Sequence, residues 1–333
     1  MASLKTGVIG VGWFGEIHCS VIVGVPGMEL VALADRDEAR LGEIGGQYGI
    51  AALHTDYRDL LADPAIDLVH IVTRWDSHAE IAIAALKAGK HVLLEKPMAP
   101  TVAECAEICA AAKAADSFLM VGHVCRFNPR CIAAQKEIAA GAIGRVVSLN
   151  GRRNVPAAWA EGALDKVNPI SDTGIHDTDL MLWFTGSSVT SVYTQTVRVK
   201  DYAYPDMFQI MYRFDNGASA IYESAWLMPE SAPFIIDERM SIIGSEGFIQ
   251  VQDTFPNLGL CTATGFTGPD TTYWPRVGGV TGGALRDEVM YFASCVANGV
   301  TPSVITPEQS MAAMQTVLAA QESAESGEIV RIG

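Results

Sequence analysis

"GVIGVGWFGEIHC", residues 7–19, spaces three glycines, Gly10, Gly12 and Gly15, as G-x-G-x-x-G. An apolar run leads into them and a helical pattern, residues 13–23, follows. Between a strand and a helix each glycine has its own reason. The first permits a tight turn, the second lets the backbone approach a pyrophosphate, and the third lets helix and strand pack closely. The phosphates would then meet unpaired N–H groups at the helix N-terminus. The next apolar run, residues 29–35, ends in Asp35, about twenty residues beyond Gly15, where a carboxylate accepts bonds from an adenosine ribose. The stretch therefore predicts a dinucleotide site. Asp35 would repel a 2′-phosphate, favouring NAD over NADP, while Arg36 is the residue that could accommodate that phosphate.

Outward from this turn, strand and helix alternate. Residues 65–73, 91–97 and 118–123 read as buried strands, and 36–49, 78–90 and 101–116 as helices. That alternation predicts an α/β fold with a Rossmann-type, doubly wound parallel sheet over residues 1–123. Beyond it the pattern changes. A helix is expected over 128–144, capped by Asn128 with Pro129 in its first turn. In 206–214, Phe208, Ile210, Tyr212 and Phe214 alternate with Met207, Gln209, Met211 and Arg213, the period of a half-covered antiparallel strand. Residues 217–226, 239–247 and 248–253 continue the pattern, with a hairpin turn at 215–217. A second, α+β domain with an open, mostly antiparallel sheet is expected over 124–305, for substrate binding and oligomerisation. A final helix and tail, 306–333, opens on a capping box of Thr306 and Gln309 and is expected to pack back on the first domain.

Composition narrows the function. Hydrophobic residues make up 49% of the 333 and charged residues 18%, as in a packed globular chain. With 23 basic and 38 acidic residues the net charge is −15, which argues against nucleic acid and against an anionic membrane surface as partners. No apolar run approaches the ~18 residues of a membrane span, and no secretory leader is evident. Seven scattered cysteines without a C-x-x-C pair fit a reducing cytoplasm and buried thiols. Cys105, Cys109, Cys125, Cys131 and His123 do not form a recognisable zinc pattern, so no metal is expected. The apolar-leaning face carrying Met207 and Met211 suggests burial against another copy, as a homodimer or homotetramer.

Two further stretches carry chemistry. "LLEKP" sets Glu95, Lys96 and Pro97 at the carboxyl end of a strand, where open parallel sheets bind ligands. A lysine there can stabilise charge on a substrate oxygen. In "SDTGIHDTDLMLWFTG", residues 171–186, Asp172 and His176 stand four apart, on one face if the segment is helical. The histidine can take a hydroxyl proton as hydride leaves the carbon. The spacing equally fits an aspartate near a helix start with a satisfied histidine. Gly174 within the helix would weaken it by ~1 kcal/mol.

Together, "VIGVGWFGEIH", "EKP" and "DTGIHDTD" resemble the glucose-fructose oxidoreductase, inositol dehydrogenase and rhizopine catabolism (Gfo/Idh/MocA) family, over essentially the whole chain. The resemblance implies an inositol- or sugar-dehydrogenase activity. Lys96 would reach the substrate hydroxyl, His176 would be the acid/base and Asp172 its neighbour in binding and proton handling. Gly10, Gly12, Trp13, Phe14, Gly15, Asp35 and Arg36 would hold the dinucleotide, with Thr73 and Glu95 along it. His78 and Trp75 would edge the nicotinamide or simply pack. Arg126, Arg153 and Asn154 would line the substrate pocket or pair between strands, and Asp179 would pair within its helix or touch substrate. Two alternatives stay open: an NAD-using glycosidase acting by oxidation and elimination, and a non-catalytic dinucleotide sensor.

Overall fold

The computed structural model describes residues 3–232, 234, 236–252, 260–263, 265–267 and 270–333. The chain divides into two compact units, 1–127 with 272–311, and 128–271 with 312–333.

In the first unit, six strands form one sheet: β1 (Leu4–Ile9), β2 (Met28–Ala34), β3 (Ala52–His54), β4 (Leu68–Ile71), β5 (His91–Glu95) and β6 (Leu119–Gly122). Their order is β3-β2-β1-β4-β5-β6 and every pair is parallel. This is the expected doubly wound sheet. Its strand order reverses between β1 and β4, which opens a ligand crevice at the carboxyl ends. Connecting helices are α1 (Trp13–Ile22), α2 (Glu38–Tyr48), α3 (Tyr57–Ala62), α4 (His78–Lys87) and α5 (Val102–Ala114). The short β3 and α3 are not apparent from the sequence pattern. All four residues of β4 are buried, as a strand covered on both faces must be. Thr101 caps α5, accepting from Glu104 N at 3.2 Å.

The second unit opens with α6 (Pro129–Ala139), where the Asn128 side chain accepts from Arg130 N at 3.0 Å and Pro129 takes the first turn, as expected. Its strands are β7 (Val146–Asn154), β8 (Val189–Val197), β9 (Met207–Phe214), β10 (Ser219–Ala225), β11 (Asp237–Gly244) and β12 (Phe248–Gln252). The sheet order is β12-β11-β7-β10-β9-β8, with a terminal strand, Val330–Arg331, on the outer edge of β8. Only β7 and β10 run parallel. In β9 the phase is as predicted: Phe208, Ile210, Tyr212 and Phe214 are buried while Gln209, Met211 and Arg213 are exposed. Short helices α7 (Ala157–Ala160) and α8 (Pro169–Asp172) precede α9 (Gly174–Thr185).

The last two helices are α10 (Gly283–Asn298) and α11 (Pro307–Ser326). The division between units runs differently from the boundaries expected at 124 and 305. Residues 272–311, with all of α10, belong to the first unit, and the tail from 312 belongs to the second. Hydrogen bonds account for both assignments. At the start of α11, His123 Nε2 meets Ser310 Oγ at 2.9 Å, and Arg126 bonds Gln309. Near its end, Ser323 Oγ accepts from Thr194 N at 2.9 Å, and the terminal strand extends the second sheet. The predicted capping box is present: Thr306 and Gln309 exchange bonds of 3.2 and 3.3 Å. Six cysteines are buried and free, and the Cys261 side chain lies outside the described residues. Burial pushes the Cys105 and Cys109 thiols up to about 12 and about 11, so both stay protonated and unreactive.

Candidate active site

At the carboxyl edge of the first sheet, the glycine-rich turn has the geometry its spacing predicts. Gly10 sits at φ +90°, and a Cβ there would lie 2.6 Å from Val72 O. A Cβ on Gly15 would come within 2.0 Å of Gly10 O. Gly12 differs, because nothing lies within 4 Å of where its Cβ would stand. The open space above Gly12 is the approach a pyrophosphate needs. Asp35 Oδ2 accepts from Val11 N at 2.7 Å and Oδ1 from Asp37 N at 3.0 Å. These bonds aim the carboxylate along the turn while leaving lone pairs for ribose hydroxyls. The residues thus fit an NAD-type dinucleotide. Arg36 is exposed. Arg40, unremarked in the sequence, bonds Val11 O, Glu16 and Glu43 and buttresses the turn. Its guanidinium holds the Glu16 carboxyl below its ordinary value.

Trp13 is 68% exposed, and its ring stacks on Phe14 at 5.7 Å. Both rings meet Trp274 edge-on, at 6.1 and 5.5 Å. Sequence reading missed this aromatic cluster, because Trp274 lies some 260 residues away in sequence. Thr73 lies just past β4, where its hydroxyl accepts from Ser77 Oγ at 2.9 Å. His78 is buried with Nδ1 2.8 Å from Pro97 O and Nε2 3.0 Å from Thr73 O. Of the two readings left open for it, packing is the one the geometry favours. The ring ties the turn after β4 to the turn after β5. Burial lowers its pKa, and the two carbonyls oppose that shift. Trp75, in the turn between them, is half-buried.

Lys96 follows directly on β5 and is half-buried. Glu95, expected along the cofactor, is 5% exposed and turned inward. Its Oε1 meets His18 Nε2 at 3.1 Å, and its Oε2 accepts from Lys96 N at 3.1 Å. His18 Nδ1 in turn meets His70 Nδ1 at 2.9 Å. Across from them on α10, Glu288 is fully buried with neither carboxylate oxygen hydrogen-bonded. Sequence reading missed this group. Its one visible signal was a histidine inside the apolar run "DLVHIV", residues 67–72.

In the second unit, α8 ends at Asp172 and α9 starts at Gly174, with Thr173 between them still in the helical region at φ −88°, ψ −37°. Thr173 N donates to Pro169 O at 3.0 Å, and His176 N donates to Thr173 O at 3.3 Å. Asp172 and His176 therefore fall on successive turns. Both are half-buried, while Ser171, Thr173, Ile175 and Asp177 between and beside them are buried. Gly174 begins α9 instead of interrupting it, so the expected interior penalty does not arise.

The four remaining pocket candidates point inward. Arg126 is 2% exposed and donates to Val304 O at 2.7 Å and Gln309 Oε1 at 2.9 Å. Arg153 is buried between Asp177 at 2.6 Å and Glu238 at 3.1 Å, joining α9 to β11. Burial still raises the Asp177 pKa, against the pull of Arg153. Asn154 accepts from Ala225 N at 2.8 Å and reaches Glu223 and Asp237 at 3.4 Å. Asp179 is buried within α9. Arg126 thus holds a loop within the first unit, and Arg153 and Asn154 take the inter-strand alternative. Their polar groups are buried and paired, as burial requires.

A Rossmann sheet with a dinucleotide turn, joined in one chain to an open mixed sheet carrying the Asp172/His176 pair, defines a class of two-domain oxidoreductase. Residues 4–123 match "Oxidoreductase family, NAD-binding Rossmann fold" and residues 131–250 match "GFO/IDH/MocA C-terminal domain". The chain is 28% identical over 336 residues to scyllo-inositol 2-dehydrogenase (NAD(+)) of Bacillus subtilis, covering 99% of this chain and 96% of that protein. It is 30% identical over 258 residues to inositol 2-dehydrogenase 2 of Saccharopolyspora erythraea, covering 75% and 73%. It is 29% identical over 333 residues to D-xylose 1-dehydrogenase (NADP(+)) 2 of Haloferax volcanii, covering 98% and 99%. The crystal structure of myo-inositol 2-dehydrogenase from Lactobacillus plantarum matches the fold with a TM-score of 0.87 at 23% identity, covering 99% and 100%. The protein belongs to the Gfo/Idh/MocA oxidoreductase family.

Proposed function

We propose that the protein is an NAD-dependent dehydrogenase acting on a secondary alcohol of a cyclic polyol or sugar, of inositol or aldose type. The observation that carries the reading is Lys96 at the carboxyl end of β5, across the strand-order reversal from the glycine-rich turn. Relatives matched over nearly their whole length bear polyol and sugar dehydrogenase names. Gly10, Gly12, Gly15 and Asp35 would hold the dinucleotide, whose nicotinamide supplies the hydride acceptor. The chain supplies positioning and proton handling. His176 would take the hydroxyl proton, with Asp172 orienting the substrate beside the imidazole, and the Lys96 ammonium would donate to substrate oxygen as negative charge develops.

NAD is favoured over NADP because Asp35 is fixed where a 2′-phosphate would meet its charge. Arg40 is already committed to Glu16 and Glu43. The NADP name of the xylose-dehydrogenase relative makes this a point for measurement. Buried free thiols support a cytoplasmic protein. The exposed Met211 and Ile221, neighbours on the open sheet, support assembly of two or four copies.

The test is an NAD-reduction screen over scyllo-inositol, myo-inositol and D-xylose. Wild-type protein is expected to form NADH in proportion to substrate consumed. Lys96→Ala should lower turnover at least about a thousandfold with NAD binding intact, and His176→Ala should flatten the pH profile. Wild-type activity in Lys96→Ala overturns the assignment. Sugar release from a glycoside without NADH would assign the glycosidase reaction instead.

A further inference from the structure

The first unit buries a cluster of two imidazoles and two carboxylates that the proposed reaction does not use. His18 lies on α1, His70 on β4, Glu95 at the end of β5 and Glu288 on α10, and none is more than 5% exposed. Groups of this kind are expensive to bury unless they bond one another. Three of them do, in a line: His70 Nδ1 to His18 Nδ1 at 2.9 Å, then His18 Nε2 to Glu95 Oε1 at 3.1 Å. The other carboxylate oxygen accepts the Lys96 backbone N–H.

Proton counting gives the line a direction. Burial drives the His70 pKa well below its ordinary value, so that ring is neutral. A carboxylate only accepts, so His18 Nε2 is the donor to Glu95 Oε1. Glu288, with no bonding partner, is held protonated by burial and by the charge of Glu95. Gly122 makes room for the arrangement, because a Cβ there would fall 2.7 Å from Glu95 Oε1.

We propose that His18 and Glu95 are positioning residues for Lys96. His18 fixes one oxygen of the Glu95 carboxylate, and the other oxygen fixes the backbone from which the Lys96 amine projects. This rests on the reading of Lys96 as the substrate-facing cation. A carboxylate bonded on both oxygens cannot rotate, so the turn after β5 is set from beneath by α1 and β4. A displacement of even about 1 Å in such a group can cost a hundredfold in rate.

The test compares Lys96→Ala, His18→Leu, His18→Gln and the isosteric Glu95→Gln. Turnover is measured on the best substrate of the polyol and aldose screen, and NAD affinity by Trp fluorescence. A third readout follows Lys96 itself in cofactor-free protein, as its rate of acetylation by an N-hydroxysuccinimide ester, resolved by peptide mass spectrometry. His18→Leu and Glu95→Gln are expected to lose about tenfold to a hundredfold in kcat with NAD affinity within about twofold of wild type. Acetylation of Lys96 should quicken in both as its turn loosens. His18→Gln, which keeps an N–H donor toward Glu95, should recover most of both properties. If Lys96→Ala is inactive while His18→Leu and Glu95→Gln match wild type in kcat and acetylation rate, the positioning role is overturned and the reading of Lys96 stands. An active Lys96→Ala overturns both. Should His18→Leu fail to fold, Glu95→Gln decides alone.

Discussion

Three glycines within six residues do different work. Gly10 and Gly15 are confined from within, because a methyl group on either would strike carbonyl oxygen at 2.6 or 2.0 Å. Gly12 is confined by nothing in the chain, and its backbone is extended at φ −60°, ψ −167°, which alanine adopts freely. The same substitution should therefore separate folding from binding. Gly10→Ala adds a strained positive φ to a steric clash and should cost about 1–3 kcal/mol of stability, seen as a lower thermal midpoint. Gly12→Ala should leave the midpoint unchanged and weaken NAD binding about tenfold or more, seen by calorimetric titration. A Gly12→Ala protein that binds NAD as wild type does would show that phosphate does not approach there.

At the scale of elements, α9 shows why the site was only partly legible. The Asp172/His176 spacing could be read from the sequence, because one helical turn separates the two positions. That Arg153 belongs to the support of this helix could not be read, since Asp177 and Glu238 lie 24 and 85 residues from it. The same limit hid His18, Glu95, His70 and Glu288, four residues on four elements brought together only by the fold. Local pattern, by contrast, located every strand of the first sheet but β3, and β9 to β12 of the second, because period and turn chemistry are local properties; β8 was not singled out. The Arg153 arrangement has a measurable consequence. Arg153→Met leaves two buried carboxylates without their cation and should destabilise the protein by about 3–5 kcal/mol in urea unfolding. A loss below about 1 kcal/mol would mean that water reaches the pair.

The α10 acid gives a pH-dependent counterpart. The Glu288 pKa is raised in the folded state, chiefly by burial and then by Glu95. Below its unfolded value the group is protonated in both states and costs nothing. As pH rises above that value the unfolded chain ionises while the folded chain holds its proton, so stability is lost with rising pH. Glu288→Gln removes that loss. Its thermal midpoint relative to wild type should be higher at about pH 8 than at about pH 5. An equal difference at both would mean that Glu288 ionises alike in folded and unfolded chains.

At the scale of the whole molecule, an acidic chain has to reconcile charge with association. A net charge of −15 disfavours bringing copies together at random. The open sheet of the second unit nevertheless leaves Met211 56%, Ile221 42%, Ile243 48% and Phe248 69% exposed, on strands whose other face is core. Met211 pairs directly with Ile221, and Ile243 with Phe248, so the exposure falls in two cross-strand pairs. If copies assemble through this face, a charge at its middle must disrupt them by burying an unpaired carboxylate twice in a two-fold contact. Wild-type protein should then scatter light as a dimer or tetramer of the 35.5 kDa chain. Met211→Glu should scatter as a single chain with its thermal midpoint close to that of dissociated wild type, since the residue lies outside the core of its own fold. Wild-type protein that scatters as a monomer at the lowest and highest concentrations alike would assign this face to solvent.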